Sequence, residues 1–235
     1  MRLTTLLFAL ALLPAAVAAN QNNQCFRINP NDAPDAANAA CSEFLATGLG
    51  GVQLRSEAFA NRGIARRELG QLDDSVTDLE QAVALDAAPN HLRMLAWTYR
   101  EMNRPDKAEA IYTTVLETDD HWQGWLSRCV VRQDQGNYQL AVSDCEEALA
   151  RDPENLDALY FAARAFNFLS DGQRALLHAQ KAASLAPDDP RHVVEIVWAT
   201  YFTQGPAAAR QLAQDGLQAF PDNSELQSFL EKVRQ

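Results

Sequence analysis

The sequence predicts an all-α fold, an array of about five helical hairpins. Three observations carry that expectation: an internal period of 33 or 34 residues, helical spacing of apolar side chains inside each period, and a polar turn at its centre. The period shows in four series that keep register. Gly63, Ala96, Cys129, Ala163 and Val197 recur at steps of 33, 33, 34 and 34, and Ser75, Ala108, Ala141, Ala175 and Ala209 repeat those steps. So do Ala82, Val115, Ala148, Ala182 and Gly216, while Ala87, Asp120, Pro153, Pro187 and Pro221 close each unit.

Taken in order, Met1 to Ala19 reads as an export signal, with Arg2, an apolar run from Leu3 to Leu13, Pro14 and then small residues. Cleavage after Ala18 and after Ala19 fit equally well. The apolar run is about half the roughly 20 residues that a membrane span needs. No cysteine sits at the end of that run, which argues against a lipid anchor. Residues 20–55 read as an N-terminal half-repeat or cap. Five units follow at 56–87, 89–120, 122–153, 156–187 and 190–221, and residues 222–235 form a capping helix.

Each unit is built the same way. Leu159, Ala162, Ala163 and Phe166 mark one helix at i, i+3, i+4 spacing, and Ala175, Ala179, Ala182 and Ala183 mark a second. Between such pairs lie Leu69-Gly70-Gln71, Met102-Asn103-Arg104, Gln135-Gly136-Asn137, Ser170-Asp171-Gly172 and Gln204-Gly205-Pro206. These residues tolerate left-handed backbone or stop a helix. Pro153, Pro187 and Pro221 remove an amide where a second helix must end. In the capping helix, Asn223 or Ser224 serves as N-cap, and Leu226, Phe229, Leu230 and Val233 face inward.

With these residues in place, the chain resembles the tetratricopeptide repeat family. The clearest units are 122–153, through Trp125, Gly136, Tyr138, Ala141, Ala148 and Pro153, and 156–187, through Leu159, Ala163, Phe166, Ala175, Ala182 and Pro187. The resemblance implies a right-handed α-solenoid. Departures are Arg62 and Arg66 where large apolar residues are commoner, Pro105 in the second turn, and Gly216 where alanine is usual. End units of arrays commonly depart in this way.

The hairpin gives the cysteines a meaning. Cys129 and Cys145 lie on opposite arms of one hairpin, and Cys25 and Cys41 straddle Asn29-Pro30-Asn31-Asp32-Ala33-Pro34 with the same separation of 16. Ala37, Cys41, Phe44 and Leu45 follow the second-helix pattern, so a shortened hairpin is expected there. Both pairs read as structural disulfides, in keeping with export. No Cys-x-x-Cys spacing supports a redox pair.

Nothing in the sequence points to catalysis. It has no phosphate loop, no Gly-x-Ser-x-Gly elbow and no His-Glu-x-x-His. His91, His121, His178 and His192 are scattered and read as ordinary surface or groove residues, with no metal or other cofactor implied. Carboxylate pairs such as Asp73 with Asp74 fall at turns, where capping explains them. A formal charge of −11 argues against nucleic acid or anionic membrane as a general partner.

In the family the chain resembles, first helices line a groove that holds peptide from partner proteins. Matching places Ala60, Ile64 and Arg67 there, then Arg93, Trp97 and Arg100; Leu126, Val130 and Gln133; Tyr160, Arg164 and Asn167; and Val194, Trp198 and Tyr201. Arginines and large aromatics are what binding hot spots are made of. The expected binding set is therefore Arg67, Arg93, Trp97, Arg100, Tyr160, Arg164, Trp198 and Tyr201. The Lys and Asn clamp by which chaperone-binding relatives hold a C-terminal carboxylate is missing.

The expected function is a periplasmic protein-interaction scaffold, not an enzyme, that takes an acidic, partly apolar segment of an envelope protein. A structural or self-associating envelope component is the alternative. No nucleic-acid partner and no membrane insertion are expected.

Overall fold

The structure, a computed structural model, describes residues 23–233. The expected export signal over residues 1–19 lies outside them. The described residues form twelve α-helices and one short 3-10 turn, with no strand among them. The chain divides into two compact units, Met1–Met102 and Asn103–Gln235. Within each of them, each helix packs on the next, and the fold is of the expected all-α solenoid class.

The first unit holds the 3-10 turn Gln24–Phe26 and helices α1 (Pro34–Ala46), α2 (Val52–Glu68), α3 (Leu72–Leu85) and α4 (Pro89–Glu101). The Cys25–Cys41 disulfide ties the turn to α1, and both cysteines are fully buried. Phe26 packs edge-on against Phe44 at 5.0 Å, and Asn61 on α2 donates to the Cys25 carbonyl at 3.0 Å. The shortened hairpin thus has one true helical arm. Helix α2 begins at Val52, ahead of the boundary drawn at residue 56, after Gly51 in extended conformation. The repeat ruler marks where side chains match, and backbone hydrogen bonding starts earlier.

The second unit holds α5 (Pro105–Thr118), α6 (Trp122–Asp134), α7 (Tyr138–Arg151), α8 (Leu156–Phe168), α9 (Gly172–Leu185), α10 (Pro190–Gln204), α11 (Pro206–Ala219) and α12 (Ser224–Lys232). Proline fills a first-turn position in α5, α10 and α11, where a missing amide costs nothing. Side chains of Asn155, Asp171, Asp189 and Asn223 cap α8, α9, α10 and α12. The Cys129–Cys145 disulfide joins α6 to α7 inside the core with Ala141, Ala162 and Phe166.

All five turns between hairpin arms reverse through one residue of positive φ: Gly70 (φ 74°), Asn103 (φ 55°), Gly136 (φ 76°), Ser170 (φ 59°) and Gly205 (φ 89°). In the fourth turn the left-handed residue is therefore Ser170, and Gly172 has another task. It opens α9 against α10, where an added Cβ would lie 2.7 Å from the Ala199 carbonyl and 2.8 Å from the Phe202 Cβ. Only glycine permits that approach.

Arg62 and Arg66, departures from the family pattern, are explained by a buried partner. Asp78 on α3 is 2% exposed and receives Arg62 and Arg66 at 2.7 Å each. The arrangement recurs two repeats later, where Asp144 on α7, also 2% exposed, receives Arg128 and Arg132 at 2.8 Å each. The corresponding places of the 89–120 unit hold Leu95, Tyr99 and Ile111. Each clasp thus stands at sequence positions where the 89–120 unit carries apolar or aromatic residues. Removing one partner of a buried ion pair strands the other charge, whereas apolar replacement of the whole set is tolerated. Asp144→Ala is therefore expected to cost about 3–5 kcal/mol in urea unfolding. The combined Arg128→Leu, Arg132→Tyr and Asp144→Ile variant is expected to recover most of that loss.

Candidate functional site

The first unit places Arg67, Arg93, Trp97 and Arg100 on α2 and α4, with Trp97 37% exposed. Arg67 pairs with Glu68 at 2.8 Å and approaches Glu101 at 3.8 Å, and Trp97 donates its indole N–H to the same Glu101. Arg100 lies over the Trp97 ring at 5.0 Å, and Arg93 bonds the Asn90 side chain. These arginines sit within an internal network of carboxylate, amide and ring partners.

The second unit holds a cavity of about 700 Å³ between α8, α10 and α12. Of the expected residues it gathers Tyr160, Arg164 and Trp198, together with Asn167 and Val194 from the same matching. Tyr201 does not line it; its ring packs against Trp198 and Phe229. Phe168 and Phe202 at the helix ends and Phe229 of the capping helix complete aromatic walls. Trp198 meets Phe229 edge-on at 4.8 Å, which fixes the indole against α12. Arg164 lies over Phe168 and Lys232 over Trp198, each at 5.8 Å, so two cations stand on ring faces at the cavity. Arg191, just outside, covers Tyr160 at 5.1 Å.

Glu195 is the buried polar lining residue that sequence matching missed, beside aromatic and capping-helix residues such as Phe168, Phe202 and Lys232. It lies in the run Val193-Val194-Glu195-Ile196-Val197-Trp198, and a lone carboxylate in an apolar helix was the signal for it. It is 5% exposed. Asn167, 7% exposed, donates Nδ2 to the Glu195 carbonyl at 3.0 Å and to its carboxyl Oε2 at 2.7 Å. Burial pushes the Glu195 carboxyl up to about 7, against the opposing pull of Asn167 and Arg164. Tyr160 is also raised, first by burial and then by Glu195.

Asn167 holds α8 to α10 much as Gln133 holds α6 to α8, where Gln133 Nε2 donates to the Phe161 carbonyl at 2.9 Å. Both amides were read as groove-facing; both are buried ties between successive first helices. His91 and His192 are likewise buried rather than at the surface, and burial holds His192 below the ordinary imidazole range. Among the described residues no cluster of His, Cys, Asp or Glu is arranged to hold a metal, and no helix is long and apolar enough to cross a membrane.

Hairpins in sequence, with an aromatic cavity on the first helices of the second unit, define an all-helical repeat protein. The tetratricopeptide repeat model matches residues 60–121 and 130–190, more than half of the chain, and the protein belongs to that family. Among solved structures the fold is similar to that of PilW, a widely conserved type IV pilus biogenesis factor. The TM-score is 0.77 at 17% identity, covering 91% of this chain and 98% of the other. It is similar also to YrrB, a TPR protein with an unusual peptide-binding site (TM-score 0.63, 12% identity, 73% and 89% covered). MamA from Desulfovibrio magneticus RS-1 gives 0.66 at 14% identity, with 72% and 97% covered. At these identities the likeness is one of fold.

The raised carboxyl has a consequence for stability. A glutamate that titrates at about 7 when folded and about 4.3 when unfolded binds more protons in the folded state between those values, so its ionisation destabilises the fold as pH rises through that window. Its contribution is absent below the unfolded value and reaches its full cost above the folded one. Glu195→Gln is expected to gain up to about 3 kcal/mol over the parent at pH 8. The gain should shrink to little near pH 4.5, as read by urea unfolding at both values.

Proposed function

We propose that this protein is a periplasmic interaction scaffold, exported by its N-terminal segment, that takes an acidic, partly apolar segment of another envelope protein against the first helices of its second unit. The observation that carries the reading is the cavity itself: aromatic walls for apolar side chains, with Arg164 and Lys232 beside them for carboxylates. Two buried disulfides support an oxidising compartment. The expected binding residues Arg67, Arg93, Trp97 and Arg100 in the first unit would form a secondary contact, since their arginines already have internal partners.

The test is capture from envelope extract by the disulfide-intact protein lacking residues 1–19, beside an Arg164→Glu/Phe168→Ala variant. Both substituted side chains are exposed, so the variant is expected to fold. A partner held by the parent and reduced at least tenfold by the variant is the expected result. Equal recovery by both, with loss in an Arg67→Ala/Trp97→Ala variant, would move the contact to the first unit and overturn the assignment.

A further inference from the structure

Of the buried polar pair in the cavity lining, Asn167 and Glu195, the ionised carboxylate offers one open acceptor, and both bonds of the amide nitrogen are taken. Both bonds from the Asn167 amide nitrogen go to Glu195, to its carbonyl and to Oε2. Asn167 Oδ1 is buried without a partner, and Glu195 Oε1 has no hydrogen bond among the described residues and is not sealed from solvent. An occupant that covers the ionised Glu195 must therefore bring a donor, or it leaves that acceptor unmet. A cationic donor is disfavoured, because Arg164 and Lys232 already lie over Phe168 and Trp198. An acidic occupant of the floor would face Glu195. Serine and asparagine are too short to fill walls of phenylalanine and tryptophan. What fits is a flat apolar ring with one neutral donor at its far end.

We propose that this cavity seats a tyrosine side chain of the partner segment, its ring between the aromatic walls and its hydroxyl donating to Glu195 Oε1. This rests on the acidic-segment reading above and adds the residue at the segment's centre, with neighbouring carboxylates meeting Arg164 and Lys232. A hydroxyl donor favours the ionised carboxylate, so binding and Glu195 deprotonation are linked.

Other groups around Glu195 are accounted for. Tyr160 and Arg164 face it from α8, and Glu225 and Lys232 from α12. On α9, His178 is held below the ordinary imidazole range by burial, Arg174 pairs with Asp171, and Lys181 bonds the Pro153 carbonyl. His192 on α10 is lowered likewise, chiefly by burial. On α11, Arg210 bonds the Val233 carbonyl and Asp215 accepts from Gln211.

Fluorescein-labelled Glu-Asp-Tyr-Asp-Glu and its phenylalanine counterpart, titrated by anisotropy, test the inference. At pH 8 the tyrosine peptide is expected to bind about tenfold more tightly, the scale of a hydrogen bond to a charged acceptor. Its affinity should rise up to about tenfold from pH 6 to pH 8, the ratio of ionised fractions for a group titrating at about 7. Glu195→Met should erase the tyrosine preference, and Glu195→Gln the pH dependence. Equal affinity of the two peptides, tighter binding at pH 6, a preference that survives Glu195→Met, or no binding of either peptide would each overturn the proposal. The scaffold reading stands or falls separately, by the capture experiment.

Discussion

Within each hairpin the two helices cross at a pair of small residues, and the remaining architecture depends on how close that crossing is. Gly63 illustrates the limit: an added Cβ would lie 2.7 Å from Leu79 Cγ, and the Ser75 hydroxyl donates to the Gly63 carbonyl at 2.7 Å. In the second unit the same place holds Cys129, Ala163 and Val197, all fully buried, and opposite them Ala141, Ala175 and Ala209, also fully buried. Helices that approach so closely exclude bulk from the crossing and displace large side chains to either side of it. There they become the contacts between units or the lining of an open face. Burial of apolar surface then runs along the chain from neighbour to neighbour, as in other repeat arrays.

This steric origin explains why the fold could be read so far in the sequence. A small residue at a crossing is dictated by geometry, and a geometry used five times writes a period. The turns are less uniform because several solutions satisfy them: glycine, asparagine and serine each supply the left-handed residue, at Gly70, Asn103 and Ser170. The ion-paired clasps were hidden because their partners are 12 and 16 residues apart on two helices. Arg62 and Arg66 look like misplaced charges until Asp78 is set between them.

The site was legible in part, for the same reason. Tyr160, Arg164 and Trp198 were found because they occupy a face that the period repeats. Gln133 and Asn167 occupy that same column, yet long amides there reach the next first helix and become buried ties. Arg67 and Arg100, in the column's earlier places, make other contacts. Glu225, Phe229 and Lys232 lie on the capping helix, beyond the last of the five units over which side chains were matched. A period cannot forecast what stands where the period stops.

Glu195 is where the array departs furthest from what packing alone would choose. Its neighbours Val194 and Val197 are buried apolar side chains on the same helix, and an apolar residue there would avoid the cost of a desolvated carboxyl. The structure meets that cost only partly, with one amide donor, and leaves the second oxygen facing a cavity walled by rings. A carboxyl whose ionised form is only partly compensated gains most from any further donor that reaches it. Two buried acceptors near the cavity, one of them open to it, and aromatic walls set by Trp198 against Phe229 thus act in the same sense. The walls select shape, the floor selects a donor, and the tie from Asn167 holds the floor in place through the helix spacing that the small-residue crossings impose.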